Sequence, residues 1–287
     1  MLLAEKWRDY KLLDTGEGER LERWGDIILR RPDPQVIWPA KKGKEFWAKN
    51  DASYHRSSSG GGKWDIKRKL PERWVIRYDK LSFYVKPMSF KHTGLFPEQA
   101  VNWDWIIQSI KSQSGPVRVL NLFAYTGGAT VAAAFAGAEV CHVDAAKGMV
   151  TWAKENLELS GLADRPVRWI VDDVVKFVQR EKRRGRTYEG IIMDPPSFGR
   201  GPNGEIWKIE DEIYNLTKLC TGILAPEPLF FLINSYTTGL APTVLKNIIS
   251  LTVGANYKGT ITADEVGLPV SASGIVLPCG ASGRWEI

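Results

Sequence analysis

From residue 117 onward the chain repeats one pattern: a short apolar run, a break rich in glycine, aspartate or proline, then a stretch with helical spacing. The runs are Val117–Phe123, Ala138–Ala146, Val167–Asp173, Tyr188–Pro196 and Pro228–Ser235. Strands this uniformly apolar need cover on both faces, and their alternation with helices supplies it, which predicts a parallel α/β sheet. Such a sheet binds ligands beyond the carboxyl ends of its strands, where the strand order reverses. The polar residues after each run are therefore the first candidates for chemistry.

The N-terminal third differs. Residues 1–91 hold 21 basic and 13 acidic residues, whereas the remainder holds 18 and 20, so the net charge of +6 arises wholly in this third. Eight of the twelve tryptophans fall before residue 106. Short β-segments are expected here: a strand ending at Pro32 and Pro34, another over Gln35–Ala40, and a hairpin around Asp79–Lys80. Ser57–Trp64, SSSGGGKW, reads as an exposed loop. The expected division is a small basic, Trp-rich β domain over 1–90 and an α/β domain over 91–287. Cations interleaved with aromatics suit nucleic acid, since cations meet phosphates and rings stack on bases. Equally, the tryptophans can form the core of a small domain with lysines keeping it soluble.

No apolar run approaches the roughly 18–20 residues of a membrane span, and the N-terminus is charged too early for a secretory leader. Cys141, Cys220 and Cys279 are too few and too scattered for a disulfide framework, and no CxxC pair suggests zinc. A cytoplasmic protein with neither metal nor membrane partner is expected.

After the first strand comes NLFAYTGG, Asn121–Gly128. Its paired glycines let backbone pass close to a ligand, but there is no GxGxxG and no P-loop. Asp144 ends the second strand, where a carboxylate can accept both hydroxyls of a ribose or can cap a helix. Asp172–Asp173 ends the third, with adenine recognition and capping again the alternatives. The fourth strand ends in Asp194-Pro195-Pro196-Ser197-Phe198. The prolines fix the backbone, so Asp194 can accept from a planar N–H while Phe198 stacks on a flat substrate.

NLFAYTGG, Asp144 and DPPSF, in this order, resemble class I S-adenosylmethionine-dependent methyltransferases, and more narrowly the 23S ribosomal RNA base methyltransferases. Thr93–Gln99, TGLFPEQ, occupies the place of that family's LDQR-like stretch. The resemblance implies a Rossmann-like fold with a mostly parallel seven-stranded sheet. It implies S-adenosylmethionine as cofactor, with its methionine portion held by Gln99, Asn121, Phe123, Tyr125, Thr126, Gly127 and Gly128. Asp144 would hold the ribose and Asp173, rather than Asp172, the adenine. Asp194, Pro195, Pro196 and Phe198 would face the target base. The partner implied is RNA, as 23S ribosomal RNA or a large-subunit precursor, with the basic N-terminal third as an RNA-holding module.

Making 5-methylcytosine requires a cysteine nucleophile, because C5 reacts only after attack at C6. The fifth strand is followed by Asn234–Gly239, NSYTTG, with no cysteine there or in DPPSF. A base nitrogen is therefore the expected acceptor, and the resemblance, one branch of which is to guanine-N7 enzymes, implies guanine before adenine. The alternatives are a 5-methylcytosine enzyme, a non-catalytic RNA-binding or assembly factor with a retained cofactor pocket, and a methyltransferase for small molecules or proteins. His92 and Leu268–Trp285 are read as structural, and Lys182–Arg186 as a solvated helix end or an extension of the RNA surface.

Overall fold

A computed structural model describes residues 1–57, 61–200, 206–237 and 239–287. The chain divides into two compact units, one of residues 3–100 with 267–279, the other of residues 1–2, 101–266 and 280–287.

The chain opens on a two-residue strand, β1 (Leu2–Leu3). In the first unit, β2 (Tyr10–Gly16), β3 (Glu19–Trp24), β4 (Ile27–Pro32), β5 (Ala52–Arg56) and β6 (Gly62–Ile66) form one sheet in that order. A one-turn helix, α1 (Lys44–Trp47), precedes β5. The expected hairpin at Asp79–Lys80 is present as β7 (Trp74–Tyr78) and β8 (Leu81–Val85), with Asp79 at φ 49° in the turn. Gln35–Ala40 is not a strand. Pro32, Pro34 and Pro39 remove ladder donors, and the segment instead accepts Gly18 N–H at Val36 O and Glu17 N–H at Trp38 O. Of the predicted loop Ser57–Trp64, Ser58–Gly60 lie outside the described residues, and Gly62–Trp64 opens β6.

Most of the tryptophans here are structural pins. The indole N–H groups of Trp7, Trp38, Trp47, Trp64 and Trp74 donate to Pro97 O, Thr15, Asp14, Met88 O and Trp24 O, tying loops to strands. Part of the basic excess is also internal. Arg31 is 2% exposed and forks onto Glu22, which also accepts from Tyr10, and Arg31 Nη1 reaches Lys91 O at 2.9 Å. Burial alone would raise the Glu22 pKa, but Arg20 and Arg31 hold it down at about 2. The segment Gly267–Cys279 joins this unit, with Ser271 and Ala272 N–H on Leu12 and Leu13 O.

The larger unit supplies the Rossmann-like sheet. After α2 (Ala100–Lys111) come β9 (Arg118–Leu122), α3 (Gly128–Ala136), β10 (Glu139–Asp144), α4 (Lys147–Leu159), β11 (Val167–Val171), α5 (Val174–Arg183) and β12 (Gly190–Met193). A short hairpin, β13 (Phe198–Arg200) and β14 (Ile206–Lys208), then leads into α6 (Ile209–Thr221), β15 (Phe230–Ser235) and α7 (Pro242–Thr252). The chain closes with β16 (Thr260–Pro269) and β17 (Val276–Glu286). The sheet order is β1-β16-β17-β15-β12-β9-β10-β11. The pairs from β11 across to β15 are parallel, and β17 runs antiparallel to β15. The chain leaves β9 toward β10 and β11, then crosses to β12 and β15, so the order reverses at β9 and β12.

Alternation along β9 divides the core. Leu120 and Leu122 pack with Phe177 of α5, Ile213 and Leu216 of α6, and Leu245 and Ile249 of α7. On the opposite face the fully buried Asn121 donates to Thr130 of α3 at 2.9 Å, and Thr130 Oγ1 lies 2.9 Å from His142 Nδ1 on β10. Among the described residues His142 Nε2 has no partner. A second N–H on this ring would find no acceptor, and burial pushes its pKa down to about 3.

A pH dependence follows. Below 6.5 the unfolded imidazole takes up a proton that the folded one refuses until about pH 3, so stability falls as pH drops through that window. Between pH 7 and pH 5 the wild type should lose about 2 kcal/mol more than His142→Asn, at 1.36 kcal/mol per unit. Thermal melts across this range test it. Parallel pH profiles would show that His142 is not buried in its neutral form.

Candidate active site

Register brings the strand ends level. Leu122 of β9 pairs with both Val143 of β10 and Met193 of β12. The next residues, Phe123, Asp144 and Asp194, therefore form one row across three neighbouring strands, which run about 4.8 Å apart. This row sits where the strand order reverses.

The loop after β9 is held in an unusual shape. Phe123 (φ 54°) and Tyr125 (φ 49°) both adopt the left-handed conformation, which costs about 1–2 kcal/mol for each such side chain. Hydrogen bonds fix it: Ala124 N–H to Val143 O (3.1 Å), Tyr125 N–H to Asp144 Oδ2 (2.8 Å) and Gly127 N–H to Ala124 O (2.9 Å). The buried Asn156 of α4 donates to Thr126 O at 2.9 Å. Gly127 is also left-handed (φ 82°), and a Cβ there would lie 2.8 Å from that of Ala153. At Gly128 a Cβ would meet the Trp103 ring at 2.7 Å. The glycine pair thus lets α3 start close against α4 and α2.

Asp144 is half-buried, and its Oδ1 accepts from Ala146 N–H at 2.8 Å. Burial raises its pKa, against the pull of the Ala146 and Tyr125 amides. Each carboxylate oxygen holds two lone pairs, so both can still accept a ribose hydroxyl. Of the next pair, Asp173 caps α5, accepting from Lys176 N–H at 2.9 Å, while Asp172 pairs with Arg180. Asn121 spends its amide N–H on Thr130 beneath the loop. Gln99 belongs to the other unit, where it ends a buried turn over Pro97–Gln99.

At the end of β12, Asp194 N–H bonds to Leu122 O (3.3 Å). Pro195 is buried, Pro196 exposed and Phe198 51% exposed. Ser197 accepts from Thr237 Oγ1 after β15 at 2.6 Å. Trp207 on β14, which the sequence did not single out, clips these loops together. Its Nε1 donates to Pro196 O at 2.7 Å, and its ring lies 5.2 Å from that of Phe123, tilted by 51°. The site sets the Phe123 and Trp207 rings beside a row with one carboxylate at the end of β10 and one just after β12. Among the described residues no cluster of three ligating side chains could hold a metal ion, and no helix is long and apolar enough to cross a membrane.

Residues 29–239 match the family model of the S-adenosylmethionine-dependent methyltransferases. The chain belongs to that family. A solved S-adenosylmethionine-dependent methyltransferase from Agrobacterium tumefaciens superposes with a TM-score of 0.93 at 36% identity, over 99% of this chain and 92% of that one. Ribosomal RNA large subunit methyltransferase K of Neisseria meningitidis is 29% identical over 184 residues, 63% of this chain and 50% of that protein. Ribosomal RNA large subunit methyltransferase K/L of Shewanella baltica is 30% identical over 235 residues, 78% of this chain and 31% of that protein. This methyltransferase thus spans half the length, or less, of these two curated relatives. Its cofactor is S-adenosylmethionine, as the sequence implied, and the lone pairs left on the Asp144 carboxylate fit an adenosine with vicinal hydroxyls.

The glycine pair gives a test. Gly127→Ala combines a left-handed Cβ with a clash on Ala153, and should lower stability by about 2–4 kcal/mol. It should also weaken S-adenosylhomocysteine binding by displacing Tyr125 from Asp144. Calorimetric melts and titrations read both, and unchanged values would show that the turn needs no glycine.

Proposed function

We propose that this methyltransferase modifies a base nitrogen of large-subunit ribosomal RNA, 23S in bacteria, with guanine before adenine as the acceptor. The row of Phe123, Asp144 and Asp194 carries this reading, because it sets a cofactor carboxylate and a base-facing carboxylate at one level on the two strands that flank β9. The names of the Neisseria and Shewanella relatives support RNA as the substrate class, as does the excess of +8 in residues 1–91.

The three cysteines favour nitrogen over carbon. Cys141, Cys220 and Cys279 are all buried, and burial pushes each thiol up, to about 11 for Cys141. Cys141 pairs with Leu120 within the sheet, two rows below the strand ends. None offers the thiolate that C5 chemistry needs. A base nitrogen attacks through its own lone pair and requires chiefly alignment.

In this reading Asp144 holds the ribose, and the Phe123–Gly128 loop the methionine portion, while Asn121 supports that loop from below. Asp173 lies beside the adenine, its capping role leaving one oxygen free to accept. Bound S-adenosylmethionine supplies an electrophilic methyl group. Asp194 accepts an N–H of the target base, orienting its nucleophilic nitrogen and stabilising the positive charge that develops there. Pro195 and Pro196 keep that strand end rigid, and Phe198 stacks on the base, which must be unpaired or flipped to enter. Trp207 holds the loops that carry both rings.

The test offers radiolabelled S-adenosylmethionine with 23S RNA and with large subunits from a strain lacking the gene, followed by digestion to nucleosides. A single labelled methylguanosine is expected. Labelled 5-methylcytidine would overturn the nitrogen assignment, and label absent from RNA would overturn the substrate class.

A further inference from the structure

The N-terminal unit carries a cleft of about 470 Å³ of its own. Its walls come from the β3–β4 turn, residues 68–71 and β7, and four cations line it (Arg23, Arg68, Lys69 and Arg77) against two carboxylates, Asp9 and Asp26. The Arg68 charge is already met, since it pairs with Asp51. The other three have no carboxylate partner among the described residues.

Arg23 is the informative one. Its guanidinium donates to Gly25 O (2.8 Å) and Arg8 O (2.7 Å), both neutral carbonyls. These bonds fix the group in place without cancelling its charge. The surroundings are equally fixed: Gly25 N–H bonds Asp9 O, Arg77 N–H bonds Asp9 Oδ2 at 2.9 Å, and the Trp74 indole bonds Trp24 O at 3.0 Å. Asp9 is thus turned toward backbone and Trp74 is set as an apolar wall. The ordering of these groups is completed in folding, so a ligand need not supply it on binding.

One preordered guanidinium and two exposed cations without a carboxylate partner, in a concave site with an aromatic wall and an excess of basic over acidic groups, suit a chain of phosphodiesters. Guanidinium and ammonium groups meet phosphate oxygens, and a ring face accepts a sugar or base. We propose that this cleft, through Arg23, Lys69 and Arg77, grips the phosphate backbone of the RNA at a place distinct from the methyl-transfer site. This rests on the proposed function for the identity of the RNA.

The experiment measures affinity of the full chain for transcribed 23S RNA over a series of potassium chloride concentrations. Lys69 and Arg77 are exposed and their side chains hold nothing together, so Lys69→Ala/Arg77→Ala should fold normally. It should bind about tenfold more weakly at low salt, with the slope of log affinity against log salt shallower by about 0.7–0.9 per lost contact. Arg23→Lys keeps the charge but loses the carbonyl clamp, and should weaken binding less than the double variant. Lys41→Ala/Lys44→Ala removes two exposed lysines outside the cleft and should match the wild type. S-adenosylhomocysteine affinity should be unchanged throughout.

If the Lys69/Arg77 variant keeps wild-type affinity and slope, or loses no more than the Lys41/Lys44 control, the cleft assignment is wrong. Because binding is read directly, this holds whether or not methyl transfer occurs. A wild type that grips the RNA through the cleft yet labels no nucleoside would instead overturn the proposed reaction.

Discussion

One hydrogen bond organises the site: the Tyr125 amide onto the Asp144 carboxylate, 2.8 Å long and half-buried. It joins the loop after β9 to the end of β10 and helps to offset two aromatic residues in left-handed conformations. Phe123 is thereby turned toward Trp207, and Trp207 reaches Pro196 beyond β12. The sheet fixes the height of the three strand ends, and this bond ties the loop after β9 to that alignment. Beneath it, Asn121, Thr130 and His142 form a buried polar chain joining β9, α3 and β10, which only neutral groups can sustain there.

The two units use charge differently. In the larger one the polar groups that matter lie at strand ends, and the interior between α5, α6 and α7 is apolar. In the smaller one a buried set of Glu22, Arg20, Arg31 and Tyr10 links the first strands, and Arg31 extends it to the backbone of Lys91. Such a set stabilises only when each member has its partner. Its cations are therefore committed to folding, whereas Arg23, Lys69 and Arg77 in the cleft beside Trp74 have no carboxylate partner among the described residues.

The parallel sheet was legible because near-continuous apolar runs alternating with helices have few other solutions, and Asp144 and DPPSF were found by their place at strand ends. Asp79–Lys80 carried its own turn chemistry. Gln35–Ala40 misled because its apolar residues resemble a strand, whereas flanking prolines leave it too few donors for a ladder. Trp207 was invisible for another reason: a glycine- and proline-rich stretch separates it from DPPSF, and only the β13–β14 hairpin folds it back onto Pro196. Nor does Asp173 announce whether it serves a helix end or a ligand, since a helix N-cap and a strand-end carboxylate share one position. Contacts linking Gly267–Cys279 to residues 12–13 span some 260 positions, and no local periodicity encodes them.

The most direct test of the account is calorimetric titration of S-adenosylhomocysteine into wild type, Asp144→Asn and Asp144→Ala, each first checked by thermal melting. Losing charge-assisted bonds to two hydroxyls, at about 1.5–3 kcal/mol each, predicts affinity reduced at least a hundredfold in the alanine variant. The asparagine variant, which keeps one acceptor, should fall between. Undiminished affinity in a folded Asp144→Ala protein would contradict the assignment of this carboxylate, and with it the place given to the cofactor.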